Sequence, residues 1–212
     1  GMLLLPRSIV HDVVDNTKLL LQVKINKLTA SFTLLALFLF QAGNMALASF
    51  IIRLGENYKL TLDIISPALG WATWIGALGA VAVIMTGIRY GRMRLLLISM
   101  LLTLIGIAGF YWSDNVIIFF AANIGTAITW SFVVPYLFGM ASELDKSGRL
   151  ATTAGFASKL GLASGTFAAG LILQTDDYEM LISMSLVLLA IATVCAVIAA
   201  IKIDTKVQPE TN

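Results

Sequence analysis

WSFVVPYLFGMASELDKSGRLATTAGFASKLGLASG, residues 130–165, holds the pattern that decides the fold. An apolar run ends near residue 140. A short polar stretch follows, carrying Glu143, Asp145, Lys146, Gly148 and Arg149, and a second run of small and apolar residues begins at 150. Such a pattern reads as two membrane-crossing helices joined by a tight loop. Hydropathy marks six such apolar blocks, at roughly 28–52, 64–88, 95–112, 116–140, 150–173 and 180–201. Each has about 18–25 residues, enough to cross ~30 Å of hydrocarbon as a helix. Helices are required because lipid leaves no partner for an unpaired backbone group. The alternation of a membrane barrel strand is absent. The expected fold is an all-α integral membrane protein with six transmembrane helices.

Composition agrees. Of 212 residues, 58% are hydrophobic and 12% charged, and the mean hydropathy is +0.90. Soluble domains carry about 25% charged residues. A net charge of +2 suggests no nucleic-acid partner. The single Cys195 makes no internal disulfide, and the lone His11 lies in the polar N-terminal part.

Loop charge sets the expected orientation. Arg7, Lys18, Lys24, Lys27, Arg89, Arg92, Arg94, Lys146, Arg149, Lys202 and Lys206 fall on one side. The opposite loops have Arg53 and Lys59, with Asp114, Asp176, Asp177 and Glu179. The positive-inside rule then places both termini in the cytoplasm of a cell-membrane protein. A cleaved signal peptide in the first block is disfavoured, because the block begins after 27 residues and its loss would break the charge alternation. Residues 1–27 read as a cytoplasmic linker carrying the end of a preceding helix, and 202–212 as a cytoplasmic tail. The amphipathic part of the linker either lies along the membrane surface or is solvated.

Polarity within the spans is uneven. The third and sixth hold only hydroxyls and Cys195, able to bond back to their own helix, and are expected to face lipid. The first holds Gln41 and Asn44, three residues apart on one face. The second holds Trp71 and Trp74, and the fourth has Asn123, Thr126 and Trp130 on one stripe with Pro135 expected to kink the helix. The tryptophans either line a site or serve as packing and interfacial residues. In the fifth span Gly161 and Gly165 form a GxxxG ridge, read as ordinary helix packing. Lys159 lies roughly opposite that ridge, ten residues past Arg149, about 15 Å into the membrane. A cation there costs ~3 kcal/mol on insertion scales. No carboxylate lies within the six blocks. Lys159 either faces a cavity, where it holds an anionic ligand or senses a proton, or bonds carbonyls at a helix break.

Two stretches resemble a known family. In GIRYGRMR, residues 87–94, the order Gly87, Arg89, Gly91, Arg92 and Arg94 resembles the cytoplasmic loop signature of the major facilitator superfamily, without its acidic residue and in a shortened loop. Residues 130–165 resemble that family's tenth and eleventh helices, with Glu143, Asp145, Gly148 and Arg149 in the loop between them. The resemblance covers 28–201 and implies the C-terminal six-helix half of a secondary transporter. It implies alternating access for a small solute, anionic or amphipathic, in import or export; the polar and aromatic span residues Gln41, Asn44, Trp71, Trp74, Asn123, Thr126, Trp130 and Lys159 are then the candidate substrate or coupling residues. Implied partners are the lipid bilayer, the solute, a proton, and a missing N-terminal half or a second copy. No cofactor or metal is implied. On the cytoplasmic side, Arg92 or Arg94 paired with Glu143 or Asp145, with Arg149 nearby, would form a conformational latch. The alternative is that these charges only fix orientation.

Other classes fit less well. The spans have no histidine, no carboxylate cluster and no metal-ligand set for an intramembrane enzyme. No Asn-Pro motif, carbonyl filter or charge ring suggests a channel. A non-transporting six-span subunit remains the alternative.

Overall fold

The computed structural model describes residues 27–87 and 91–207, with side chains to residue 205. The expectations for the linker before Lys27, for Arg89, for the Lys206 side chain and for the end of the tail lie outside what is described. The chain is an all-α membrane protein. Six helices are long and apolar enough to cross a bilayer, and no strand occurs among the described residues. In order the helices are α1 (Lys27–Ala48), the short α2 (Ile51–Asn57), α3 (Leu62–Thr86), α4 (Arg92–Gly109), α5 (Val116–Leu144), α6 (Arg149–Ile172) and α7 (Tyr178–Val207). Single 3₁₀ turns follow α4 at Phe110–Trp112 and α6 at Leu173–Thr175.

The six spans sit where hydropathy places them, within a few residues, with two informative differences. The first apolar block does not run through residue 52 as one helix. It stops at Ala48, turns at Ser49–Phe50, and resumes as α2, which buries Ile51 and Leu54. The last helix continues to Val207, so part of the expected tail is helical. Hydropathy ends at Lys202, but backbone hydrogen bonding does not. Pro135 lies inside α5, which continues past it to Leu144.

α1 is the central helix. About 61% of its apolar window is buried, against 22% for α3. It packs on α6 and α7 and also touches α5, while α3 packs on α5, and α4 on α5 and α7. Phe40, Leu37 and Leu47 of α1 meet Phe119, Leu137, Met140 and Leu181 in one continuous core. Lipid tails are as apolar as leucine, so such helices associate through close packing rather than water exclusion. Small residues supply it. A methyl group on Gly165 of α6 would overlap the Ala42 carbonyl oxygen, and one on Gly79 of α3 the Ile128 carbonyl oxygen of α5. The Gly161–Gly165 ridge is thus the α6 face against α1.

The third and sixth spans are not simply lipid-facing, as expected above. α7 presents Val187, Ile191 and Val194 outward but fully buries Leu181, Ile182, Ala192, Ala196 and Ala199. α4 likewise buries Leu96 and Met100 while exposing Ile105. Their hydroxyls do bond back one turn, as Thr103 to Ser99 O and Thr193 to Leu189 O, both buried.

Candidate functional site

The two ends of the bundle differ in chemistry. At the end where α3 finishes and residues 145–148 lead into α6, Arg92 sits at the start of α4, only 7% exposed. Its Nη2 donates to Glu143 at 2.7 Å and its Nη1 to Asp204 at 3.0 Å. Asp204 Oδ2 also accepts from the backbone N–H groups of Arg92 and Met93, at 3.0 and 3.2 Å. A carboxylate from α7 therefore caps α4, satisfying donors that a helix N-terminus leaves unpaired. Tyr136 of α5 donates its hydroxyl hydrogen to the Gly87 carbonyl at the end of α3.

The expected latch pairs are realised only in part. Arg92 meets Glu143. Arg94 and Arg149 are exposed and form no ion pair among the described residues. Asp145 is engaged elsewhere. Its Oδ1 accepts from Ser147 N at 2.8 Å and its Oδ2 from Leu150 N at 3.0 Å, holding the turn into α6. Bonds from Ser147, foremost, and then from Leu150 hold its carboxyl below the ordinary carboxylate range. That contribution to stability is complete above the ordinary carboxylate pKa and is lost as pH falls through the lowered value. Asp204 is not readable as a partner in the sequence because it lies beyond the last apolar block. No local spacing points from it to Arg92, 112 residues away.

Deeper in the bundle, Gln41 joins three helices. Its Nε2 donates to Ser158 Oγ of α6 at 2.8 Å, and its Oε1 accepts from Trp130 Nε1 of α5 at 2.8 Å. Gln41 is 2% exposed and Ser158 4%. The sequence does not single out Ser158 as a partner, although it shares the α6 face of Gly161 and Gly165 at helical spacing. Gln41→Leu strands Ser158 Oγ and Trp130 Nε1. It is expected to cost about 1–3 kcal/mol, nearer the lower figure if lipid-phase partners compensate. Thermal unfolding in detergent, beside the conservative Gln41→Asn, would show it.

Trp130 also borders a cavity of about 490 Å³ between α1, α3 and α5. Ligand sites commonly span about 300–1,000 Å³. Asn44, Asn123, Thr126 and Trp130, four of the eight expected site residues, line it. Thr73, Gly76, Ser131, Phe110 and Leu162 join them, and no lining residue is charged. The cavity lies in the half of the bundle toward the 49–61 and 113–115 loops, away from Arg92. Gln41 reaches it only through Trp130.

Trp71, Trp74 and Lys159 do not line it. The tryptophans are 59% and 80% exposed on the outer stripe of α3. Lys159 is exposed on α6 beside Phe156, Leu160 and Phe167, with no hydrogen bond or ion pair among the described residues. Leu162, one turn on, forms the cavity's edge on that helix. The eight residues thus divide among a half-open, mostly apolar cavity, two exposed helix stripes, and the buried Gln41 between them. Thr166, near the Lys159 face, bonds Ser49 Oγ at 2.8 Å and ties α6 to the end of α1.

No known family model matches the chain, and no curated protein matches it in sequence.

Proposed function

We propose that this chain is one half of a secondary active transporter that moves a small solute across the cell membrane by alternating access. The solute path would run along the face of the bundle that carries Lys159. A second six-helix half, on the same polypeptide or from another chain, would complete it. The observation that carries this reading is the position of Lys159. It lies midway along a membrane-spanning helix, exposed and without a partner among the described residues. Hydrocarbon against that cation would cost ~3 kcal/mol or more. Water or protein on this face removes the cost. A cation in such a place suits a charge-holding role toward a solute that passes along this face.

The resemblance of residues 87–94 and 130–165 to the major facilitator superfamily supports the same reading, as does the clustering of basic residues at the Arg92 end, which by the positive-inside rule favours the cytoplasmic side for that end. The Arg92–Glu143 pair would hold one conformation.

The test is flux. Membrane vesicles holding the complete transporter are loaded with a mixed metabolite extract, given a proton gradient, and compared with protein-free vesicles by mass spectrometry. The expected result is at least one solute concentrated against its gradient, with that accumulation lost in Lys159→Ala. Accumulation unchanged in Lys159→Ala would remove the lysine from the mechanism. No accumulation of any solute would end the transport reading.

A further inference from the structure

The half-open cavity between α1, α3 and α5 has a chemistry of its own. Asn44 is 9% exposed and Asn123 7%. Each donates one side-chain N–H to the carbonyl four residues back, Asn44 to Phe40 O at 2.9 Å and Asn123 to Phe119 O at 2.8 Å. A carbonyl accepts only from the NH₂ end, so the orientation of both amides is fixed. Their oxygens have no partner among the described residues, yet neither is a sealed atom. Each oxygen is therefore accessible, and both residues line the cavity. Thr126 donates its hydroxyl hydrogen to its own helix at Ala122 O, 2.7 Å away, and leaves its lone pairs. Ser131 has no hydrogen bond among the described residues.

The acceptor lone pairs of Asn44, Asn123, Thr126 and Ser131 therefore outnumber the three free donors, the second N–H of each amide and the Ser131 O–H, in a space otherwise walled by Leu69, Ile107 and Phe110. No charged residue lines it, so a buried anion would have only the second N–H of each amide and the Ser131 hydroxyl to meet it, and burying a charge without a counter-charge is costly. Lys159, the natural anion holder, does not line the space. We propose that this cavity binds an uncharged amphipathic molecule that carries a hydroxyl or amide N–H donor, which it gives to the Asn123 amide oxygen, with its apolar body against α3 and α4. As the substrate site it rests on the transport reading above; as a binding site it stands without it.

The test uses the full chain in lipid nanodiscs and three matched probes: 6-phenylhexan-1-ol, its methyl ether and 6-phenylhexanoate. Tritiated alcohol is measured by scintillation proximity, with empty nanodiscs subtracted for partition into lipid. The expected result is saturable alcohol binding, displaced by the ether only at about tenfold or higher concentration, since the ether leaves the buried acceptors unpaired. The carboxylate should displace more weakly still. Asn123→Leu should reduce the alcohol's affinity to that of the ether. The three-probe comparison is made on the unsubstituted chain, so it does not depend on the variant folding. No saturable binding, equal potency of alcohol and ether, a preference for the carboxylate, or undiminished binding by a folded Asn123→Leu would each overturn the proposal. Saturable alcohol binding without flux of any solute would leave the site standing and remove the transporter. Flux without the alcohol preference would do the reverse.

Discussion

Gly165→Leu is expected to abolish the folded bundle. The α-carbon of Gly165 rides against the backbone of α1 at Ala42, so that even a methyl group overlaps a carbonyl oxygen. Backbone cannot rotate aside as a side chain can, and α1 is the helix on which α6 and α7 both pack. Overpacking of this kind costs typically about 1–3 kcal/mol for the smallest insertions and more for a branched side chain. Marginal stability is only about 5–15 kcal/mol in ordinary domains. Gly165→Ala should therefore lower the unfolding midpoint clearly, and Gly165→Leu should leave aggregated or degraded protein. Gly79→Ala should behave like Gly165→Ala, since Gly79 meets Ile128 O of α5 in the same way. Gly155 and Gly139 have nothing within 4 Å of an added methyl group. Gly155→Ala should be neutral or raise stability by about 0.5–1 kcal/mol through helix propensity alone. Size-exclusion profiles and thermal melts of the variants would check the contrast. Equal behaviour of Gly155→Ala and Gly165→Ala would show that the α1–α6 contact is looser than described.

The second large effect is expected at Arg92. Arg92→Gln removes the shared partner of Glu143 and Asp204 and leaves two carboxylates facing the start of α4. Hydrogen bonds to charged groups are worth about 1.5–3 kcal/mol where water is excluded. The Glu143 side chain is 43% exposed, so its share is discounted by solvent, while Asp204 is 28% exposed and accepts two further backbone bonds. Asp204→Asn should therefore cost more than Glu143→Gln. Charge reversal at Arg92 paired with reversal at Glu143 should recover only part of the loss, because a carboxylate introduced at position 92 would still face Asp204. Full recovery by that double variant would mean that Asp204 contributes little. Melting temperatures of the single and double variants measure both points.

These cases show what residue order carries and what it does not. The apolar blocks are long, and a membrane permits only helices, so six spans are legible without coordinates. The face of a helix is legible too: Gly161 and Gly165 at helical spacing mark a ridge, and Asn123, Thr126 and Trp130 mark a stripe. Which faces meet is not legible. Trp71 and Trp74 have the same spacing as Gln41 and Asn44, yet the tryptophans point outward while Gln41 is sealed between α5 and α6. Pairing across 117 residues, as for Gln41 and Ser158, leaves no local pattern. Hydropathy also misplaces helix ends wherever polar residues continue a helix. Asp204 falls in the expected tail for that reason, though it caps α4. A break inside an apolar run is equally silent, and hydropathy absorbs α2 into the first span.

Lys159 is legible as an anomaly, and the structure leaves it exposed on α6 without a partner among the described residues. The most direct test of the account is the water accessibility of that position. Cys195 is replaced by serine, single cysteines are placed at 159 and, as lipid-facing references, at Ile105 and Ile191, and intact membranes are treated with a membrane-impermeant maleimide. A cysteine in the exposed loop at Lys146 serves as the fully reactive standard. The account predicts that position 159 reacts, far faster than 105 or 191, and from either side of the membrane as the pathway opens to each. A cysteine at 159 as silent as those at 105 and 191 would place Lys159 against lipid or within a dry contact, and would contradict a solute path along this face.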